Sequence, residues 1–296
     1  GEIVNIQVND VSLASFIESQ FVIYGINFFQ IRLHIQPTND AWCRDHGPAI
    51  LVHSSRNERL LVDWGYNAWG GKYPPYDSDN DSPTRVANIL GLTKVSPGII
   101  MEGGSVDFNG VGTVMTSRSC LLNPNRNPQL TQADIEQYLC DYYGVQQVLW
   151  VSDGIVGDDT DGHIDDTVRF VNEDTVIAMV EPNKQDENHA VLAQNLDELK
   201  AMRLPNGKPL NIIEIPMPEA VVIDEFRAPG SYANFYICNA GVLVPTFDCP
   251  QDAFALKTLA QFFPDRPVIG LSAKKIIWGQ GSFHCLTQQE PAAKHA

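Results

Sequence analysis

A short pattern that returns five times along the chain constrains its fold more than any other feature. Each copy opens with a polar motif and continues as an apolar strand, and the first four copies add a tight turn and a second apolar strand. Repetition of one unit indicates similar modules that bury a common core. The five copies are RDHGPAILV (44–52), EGGSVDF (102–108), HIDDTVRFV (163–171), SYANFYIC (231–238) and GSFHCLTQ (281–288).

Helix-like stretches separate the copies, and each begins near Ser, Thr or Gln and ends near Gly or Pro. Several lead into a further strand, so the unit is strand, strand, helix, strand, repeated every roughly 50 to 70 residues. An α/β propeller of five modules follows from this order. Closure of the ring would bring Asp45, Glu102, His163, Asn234 and Cys285 to one mouth. The stretches are SPTRVANILGL, TQADIEQYLCDYYG, HAVLAQNLDELKAM and QDAFALKTLAQFFP.

A doubly wound sheet is the alternative, because strands and helices alternate there too. The repeated hairpins are antiparallel units, which such a sheet does not contain in series. No Gly-rich phosphate loop opens any helix, since EGGS (102–105) and WGG (69–71) match neither GxGxxG nor a P-loop. The sequence therefore favours the propeller.

Charge and composition exclude several classes of function. The chain has 296 residues and a formal net charge of −16, which argues against binding to nucleic acid. No stretch approaches the roughly 20 apolar residues that span a membrane, and no secretory signal is visible. Six cysteines without CxxC spacing disfavour both a zinc site and a disulfide framework. We expect reduced thiols and a cytoplasmic enzyme.

Cys285 is the candidate nucleophile. It follows GQGS, whose glycines permit close backbone approach to a ligand, and its neighbours are polar. The remaining cysteines lie in apolar or helical contexts, where a thiol is usually a small buried hydrophobe. The others are Cys43, Cys120, Cys140, Cys238 and Cys249.

His163 is the candidate acid and base. It lies two residues before Asp165, and strand alternation would place both side chains on one face. The same alternation points His284 away from Cys285, so we expect a structural role for His284.

The carboxylates Asp45, Glu102 and Asp165 indicate the substrate. Beside a thiol, they would raise the thiol pKa and suppress the nucleophile. A guanidinium substrate would offset their charge and pair with them through its planar N–H donors. The bound cation would also favour the thiolate.

Seven long motifs resemble those of agmatine deiminases, in the guanidine-modifying pentein superfamily beside the bacterial-type peptidylarginine deiminases. The resemblance spans essentially the whole chain. The motifs are WCRDHGPAI, WGYNAWGGKYPPYD, EGGSVDFNGVGTVMTS, CLLNPNRNP, DGHIDDTVRFV, SYANFYICNAGVLVPTF and FHCLTQQEP.

The resemblance implies a five-module propeller and hydrolysis of agmatine to N-carbamoylputrescine and ammonia, without metal or other cofactor. Cys285 matches the family nucleophile and His163 its acid and base. Asp45, Glu102 and Asp165 match the carboxylates of the substrate site. Trp42 matches an aromatic wall, and a homodimer is the expected assembly.

Further positions bear on substrate choice. Arg126 is a candidate to approach the pocket, whereas Arg44 would face away and brace the structure. Ser282 and Gln280 stand where family members usually carry Asn and Gly, so we count Ser282 among the substrate-binding candidates. The aromatic loop from Trp64 to Tyr76 could form a lid or a dimer contact.

We expect one catalytic domain over residues 1–296 that lacks the Trp- and Pro-rich segment preceding the first strand in family members. The nearest alternatives are deimination of peptidyl arginine or of free arginine. Alternatives of other classes are an inactive polyamine-binding protein and a metallohydrolase built on His163, Asp165 and Glu102. A Cys/His protease is disfavoured, because the carboxylates would oppose its thiolate.

Overall fold

The computed structural model describes residues 1–293, which form a mixed α/β fold of several small sheets. Its strands are β1 (Val4–Val8), β2 (Ile31–Ile35), β3 (Ala49–Val52), β4 (Arg59–Val62), β5 (Lys94–Val95), β6 (Val106–Phe108), β7 (Thr113–Ser117), β8 (Gln147–Val151), β9 (Val168–Phe170), β10 (Thr175–Val180), β11 (Asn211–Pro216), β12 (Val221–Ile223), β13 (Phe226–Ala228), β14 (Tyr236–Cys238), β15 (Gly241–Thr246) and β16 (Val268–Ser272).

Helices connect these strands. The α-helices are α1 (Val11–Ile23), α2 (Cys43–His46), α3 (Ala68–Gly71), α4 (Asp77–Asn80), α5 (Ser82–Leu90), α6 (Arg118–Leu121), α7 (Gln132–Tyr143), α8 (Asn188–Ala201) and α9 (Gln251–Leu259). Short 3₁₀ turns lie at Phe28–Gln30, Gly103–Ser105, Ile164–Asp166, Tyr232–Asn234 and Ile277–Gly279. No helix within residues 1–293 has the length and apolar character needed to cross a bilayer.

Four three-stranded sheets share one plan. In each, a hairpin pairs the first two strands antiparallel, and a helical connection returns the chain to a third strand parallel to the second. The sheets are β3-β4-β5, β6-β7-β8, β9-β10-β11 and β14-β15-β16. The strand, strand, helix, strand unit predicted from the sequence is therefore confirmed in these four places.

Two smaller sheets complete the described part of the chain. β1 and β2 pair in parallel across α1, which repeats the second half of the unit, and β12 pairs with β13 as a hairpin. The fifth polar motif, around Cys285, lies in a turn and leads into no strand within residues 1–293. Within residues 1–293 no strand is shared between two sheets, and no sheet closes into a barrel.

The predicted helices have the expected end signals. Thr131 and Asp134 form a capping box at the start of α7, and Gly144 ends that helix in the left-handed region at φ 69°. Pro83 lies in the first turn of α5, and Gly91 ends it in the same way. The four predicted helical stretches are confirmed as α5, α7, α8 and α9.

The apolar core lies between the sheets and their helices. The largest cluster joins β10, β11 and β15 to α8 and α9, with Tyr232 and Phe235 fully buried at its centre. A second cluster packs β4, β6 and β7 against α7. These cores hold the first strand of each three-stranded sheet in place, and a polar motif lies just before the start of each of these strands.

One local prediction is wrong. The sequence predicts strand alternation through the polar motifs, but the structure folds them into short helical turns just before the first strands. Asp45 lies in α2, and Asp165 lies in the turn Ile164–Asp166. The cause is local hydrogen bonding: at Tyr232–Asn234, for example, the Ser231 hydroxyl accepts from the Ala233 N–H.

Candidate active site

Gly104 marks the point where three of the predicted site residues meet. A Cβ atom on Gly104 would lie 2.5 Å from His163 Nδ1, 2.8 Å from Asp45 Oδ1 and 3.1 Å from Asp165 Oδ2. All three residues are almost completely buried. Their polar atoms therefore converge on one small volume that only a glycine leaves open.

Asp45 holds two hydrogen bonds within this volume. Its Oδ2 accepts from Trp69 Nε1 at 3.0 Å, and its Oδ1 accepts from the Gly104 N–H at 2.9 Å. Burial raises the pKa of Asp45 to about 6, although both hydrogen bonds act to lower it. His163 Nδ1 lies 3.7 Å from the same Oδ1. A bound cation would stabilise the carboxylate form of Asp45 and lower this pKa.

The His163 imidazole is free to transfer a proton. Its backbone N–H donates to Asp158, but neither ring nitrogen has a hydrogen-bond partner among residues 1–293. Burial lowers the pKa of His163, and the charges of Glu102 and Asp158 oppose that effect. Burial thus favours the neutral imidazole, which can act as a base. His163 and Asp165 do reach one point, through a 3₁₀ turn rather than the predicted strand.

Cys285 is buried, with 6% of its surface exposed, and its thiol lies against carboxylates. Its Sγ is 3.6 Å from Asp165 Oδ2. Burial raises the pKa of Cys285 well above its ordinary value, and Asp165, Asp166 and Asp45 raise it further. Asn234 acts in the opposite direction, because its Nδ2 donates to the sulfur at 3.0 Å.

Asn234 also fixes the turn that carries Cys285. Its Oδ1 accepts from the Ser282 hydroxyl at 2.9 Å, from the His284 N–H at 3.0 Å and from the Cys285 N–H at 3.3 Å. Its Nδ2 donates to Asp166 Oδ1 at 2.9 Å. One side-chain amide thus orients the thiol, its backbone and a neighbouring carboxylate.

Asp165 is held from behind by His284. His284 Nδ1 lies 2.7 Å from Asp165 Oδ2, and both groups are buried. Burial raises the pKa of Asp165 and Asp45 raises it further, because two carboxylates share the volume. Strand alternation predicts that His284 points away from Cys285, but both side chains lie against the same oxygen of Asp165. The structural role of His284 stays a prediction.

Glu102 is paired on one oxygen only. Arg126 Nε donates to Glu102 Oε1 at 2.7 Å, and both side chains are fully buried. Arg126 also pairs with Asp161 and donates to the Thr160 carbonyl oxygen at 2.8 Å. Arg126 therefore lies beside Glu102, and every arm of its guanidinium is engaged by the protein.

Trp42 and Ser282 lie beside the nucleophile. A Cβ atom on Gly279 or Gly281 would meet the Trp42 indole at 2.8 Å or 2.6 Å, and one on Gly281 would lie 3.0 Å from Cys285 Cβ. Trp42 thus packs on the turn before Cys285. Ser282 is buried and donates to Asn234, so its contact is with the support of the thiol.

Several residues of the site escaped the sequence analysis. Trp69 belongs to the aromatic loop, yet its bond to Asp45 could not be read from spacing. Asp158 and Asp166 flank the predicted residues in sequence, which was the available signal. Cys120, taken as a structural cysteine, is not part of this site, but its sulfur lies near Glu102 and His163 in a group of potential metal ligands.

Comparison with known proteins decides the family. The sequence model described as Porphyromonas-type peptidyl-arginine deiminase matches residues 1–291. The chain belongs to this family. It is 36% identical over 277 residues to an agmatine deiminase of Pseudomonas putida, with 86% of this chain and 75% of that protein covered.

Solved structures agree with this assignment. An agmatine deiminase of Enterococcus faecalis superimposes with a TM-score of 0.88 at 32% identity, over 97% of this chain and 83% of that one. A dimethylarginine dimethylaminohydrolase adduct superimposes with a TM-score of 0.51 at 13% identity, over 96% and 98% of the two chains. The second likeness shows the shared fold alone.

Proposed function

We propose that this protein hydrolyses agmatine to N-carbamoylputrescine and ammonia. The observation that carries the proposal is the convergence at Gly104 of Asp45, Asp165 and the His163 imidazole, with the Cys285 thiol 3.6 Å from Asp165. Carboxylates beside a thiol oppose its ionisation, so the arrangement suits a substrate that brings positive charge. The relatives named agmatine deiminase support the same substrate.

Binding of the guanidinium prepares the nucleophile. The planar cation pairs with Asp45 and Asp165, and its charge offsets theirs. The Cys285 thiol then loses its proton and His163 becomes the imidazolium, because the cation lowers the cost of a thiolate in this volume. Substrate binding thus produces the ion pair that burial and the neighbouring carboxylates otherwise disfavour.

The reaction proceeds in two halves. The Cys285 thiolate attacks the central guanidinium carbon, and the C=N electron pair moves to nitrogen to give a tetrahedral adduct. The His163 imidazolium protonates the departing nitrogen, the C–N bond breaks and ammonia leaves a thiouronium on sulfur. Neutral His163 then takes a proton from water, the hydroxide adds to the carbon, and the C–S bond breaks as the C=O bond forms. The hydroxyl proton of the adduct passes to the leaving sulfur, which releases the neutral ureido product and restores the thiol, and His163 gives its proton to solvent.

The pairing of the arginines favours agmatine over arginine. A site for arginine needs a counter-ion for the α-carboxylate, whereas agmatine has none. Arg126 is bound by Glu102, Asp161 and Thr160, so its guanidinium is already engaged. Arg44 Nε donates to the carbonyl oxygen of His284, and its Nη1 donates to Gln288 and Gln289. The Arg126 guanidinium is therefore not placed to receive a carboxylate.

A cavity of about 250 Å³ beside Trp69 also fits an amine-bearing substrate. It is lined by the acidic Asp40 and Asp79 and by the aromatic Tyr66 and Tyr73. Acidic and aromatic side chains together suit an alkylammonium group. Deimination of peptidyl arginine is the second candidate, because the matching family bears that name.

Ammonia release from agmatine, arginine and an arginine peptide at equal concentration tests the proposal. We expect agmatine to be preferred, Cys285→Ala to be inactive, and Cys140→Ala, altered on distant α7, to keep full activity. His163→Ala is expected to accumulate a thiouronium adduct that mass spectrometry detects. Ureido product formed by Cys285→Ala would overturn the mechanism, and preference for the peptide would overturn the substrate. Activity that chelators abolish would favour a metallohydrolase.

The architecture is proposed with the function. The four repeated sheets and the β1–α1–β2 unit are arranged as five modules of one catalytic domain, and the Cys285 turn supplies the fifth polar motif. Asn5 Nδ2 donates to Glu290 Oε2 at 3.2 Å, which brings the two ends of the chain to the same module. A short thiol-reactive cross-linker should join cysteines introduced at these two positions in the folded protein. Light scattering after gel filtration tests the expected homodimer.

A further inference from the structure

Cys120 is a buried thiol that the proposed reaction does not use. It lies in α6 and is fully buried. Its sulfur, a carboxylate oxygen of Glu102 and a ring nitrogen of His163 all lie within 4.8 Å of one another. Three different ligand atoms from separate segments therefore face one point at the edge of the reaction site.

Two of these residues have buried polar atoms without a partner. Glu102 Oε2 and both ring nitrogens of His163 have no hydrogen-bond partner among residues 1–293, and both side chains are at least 99% buried. A buried polar atom left without a partner costs about 1–3 kcal/mol. A ligand that engaged these atoms would recover that cost.

The surrounding charge favours a cation as this ligand. Glu102, Asp158 and Asp161 all place negative charge near Cys120, whereas Arg126 is the opposing positive charge. Binding of a divalent ion would release the thiol proton to solvent and leave a thiolate as the third ligand. Negative charge then exceeds positive charge around the ion.

The ligand types select the metal. A thiolate, an imidazole and a carboxylate form the mixed set that Zn²⁺ accepts, whereas Mg²⁺ and Ca²⁺ take oxygen ligands. Three protein ligands leave the fourth position of a tetrahedral ion to water.

We propose that Glu102, Cys120 and His163 form a Zn²⁺ site and that its occupancy inhibits the enzyme. The inhibition rests on the proposed function, since the ion would occupy the nitrogen that His163 needs for proton transfer and would repel a guanidinium from Asp45. Binding of the ion stands independently of any reaction.

Cobalt absorption tests binding without activity. In Cys285→Ala, which removes the other thiol of the site, added Co²⁺ is expected to give a sulfur-to-cobalt charge-transfer band that Zn²⁺ displaces. Adding Cys120→Ser should abolish the band, whereas adding the matched Cys140→Ser should leave it. X-ray absorption of Zn²⁺-loaded Cys285→Ala should show one sulfur ligand. A zinc shell without sulfur would refute the site even if the Cys120 variant failed to fold.

Inhibition is tested in the protein that retains Cys285. Cys120→Ser should hydrolyse agmatine as fast as the unaltered protein in the absence of metal. Its Zn²⁺ inhibition constant should rise by at least the roughly 10–100-fold that loss of an outer-shell partner costs. Equal inhibition of both proteins, or a need for Zn²⁺ to restore activity after chelation, would overturn the proposal. If agmatine is not hydrolysed but the cobalt band appears, the proposed function fails and the metal site stands.

Discussion

Replacing Gly104 by alanine should inactivate the enzyme without unfolding it. The added Cβ would lie 2.5 Å from His163 Nδ1 and 2.8 Å from Asp45 Oδ1, whereas ordinary contacts are about 3.5–4.0 Å. Since Gly104 lies outside the left-handed region, alanine adds no backbone strain there. The collision is confined to the reacting groups, and they must move apart by about 1 Å.

The size of the effect follows from that displacement. A misplacement of about 1 Å costs about 10²-fold in rate, which equals about 2.7 kcal/mol in activation free energy. We therefore expect kcat/KM for agmatine to fall by at least 10²-fold in an ammonia-release assay. The melting temperature should change little, because the substitution also lowers the entropy of the unfolded chain.

Gly207→Ala is the matched control. Gly207 has φ +79°, and nothing lies within 4 Å of an added Cβ. Alanine there should lower the free energy of unfolding by about 1–2 kcal/mol and leave kcat/KM unchanged. Gly104→Ala should therefore lower activity with little change in stability, and Gly207→Ala should lower stability without changing activity. If Gly104→Ala kept kcat/KM within threefold of the unaltered protein, the convergence on Gly104 would not be the arrangement that catalyses the reaction.

The remaining predictions concern the groups around this point. Asn234→Ala should slow alkylation of Cys285 by iodoacetamide by at least about tenfold, since a hydrogen bond to a charged group is worth about 1.5 kcal/mol; an unchanged rate would contradict the role of the amide. Because burial raises the pKa of Asp45 to about 6, the carboxyl is neutral below that pH and pairs poorly with a cation. The kcat/KM profile should therefore rise with pH through about 6, and a flat acid limb would exclude Asp45 as the titrating group. Arg126→Met should lower the free energy of unfolding by about 3–5 kcal/mol in urea titration, because it leaves the buried Glu102 carboxylate unpaired; a loss below 1 kcal/mol would show that the pair is not needed.

The regular elements could be predicted because their signals are local. Thr131 and Gly144 lie at the ends of α7, and the turn at 109–112 joins two apolar strands, so a few neighbouring residues suffice. The order of the polar motifs in the repeat also predicted that Asp45 and His163 lie close together, and His163 Nδ1 lies 3.7 Å from Asp45 Oδ1. Repetition supplied this information, since equivalent positions in repeated units occupy equivalent places.

The contacts inside the site could not be predicted in this way. Asn234 meets Cys285 across 51 positions, and His284 meets Asp165 across 119. Repetition predicts that Asn234 and Cys285 lie near each other, but neither spacing nor periodicity predicts which atoms form hydrogen bonds. The short turns of the polar motifs were missed for a related reason. Their backbones are held by side chains such as Ser231 and Asp158, and this local hydrogen bonding outweighs the strand alternation of the adjoining residues.

The carboxylates that crowd Cys285 have a consequence for the lifetime of the protein. Peroxides and other oxidants attack thiolates far faster than thiols. Since burial and Asp165 hold the pKa of Cys285 high, the sulfur stays protonated until a cation binds. The protonated thiol reacts slowly with oxidants, so Cys285 becomes sensitive to oxidation only while a cation is bound.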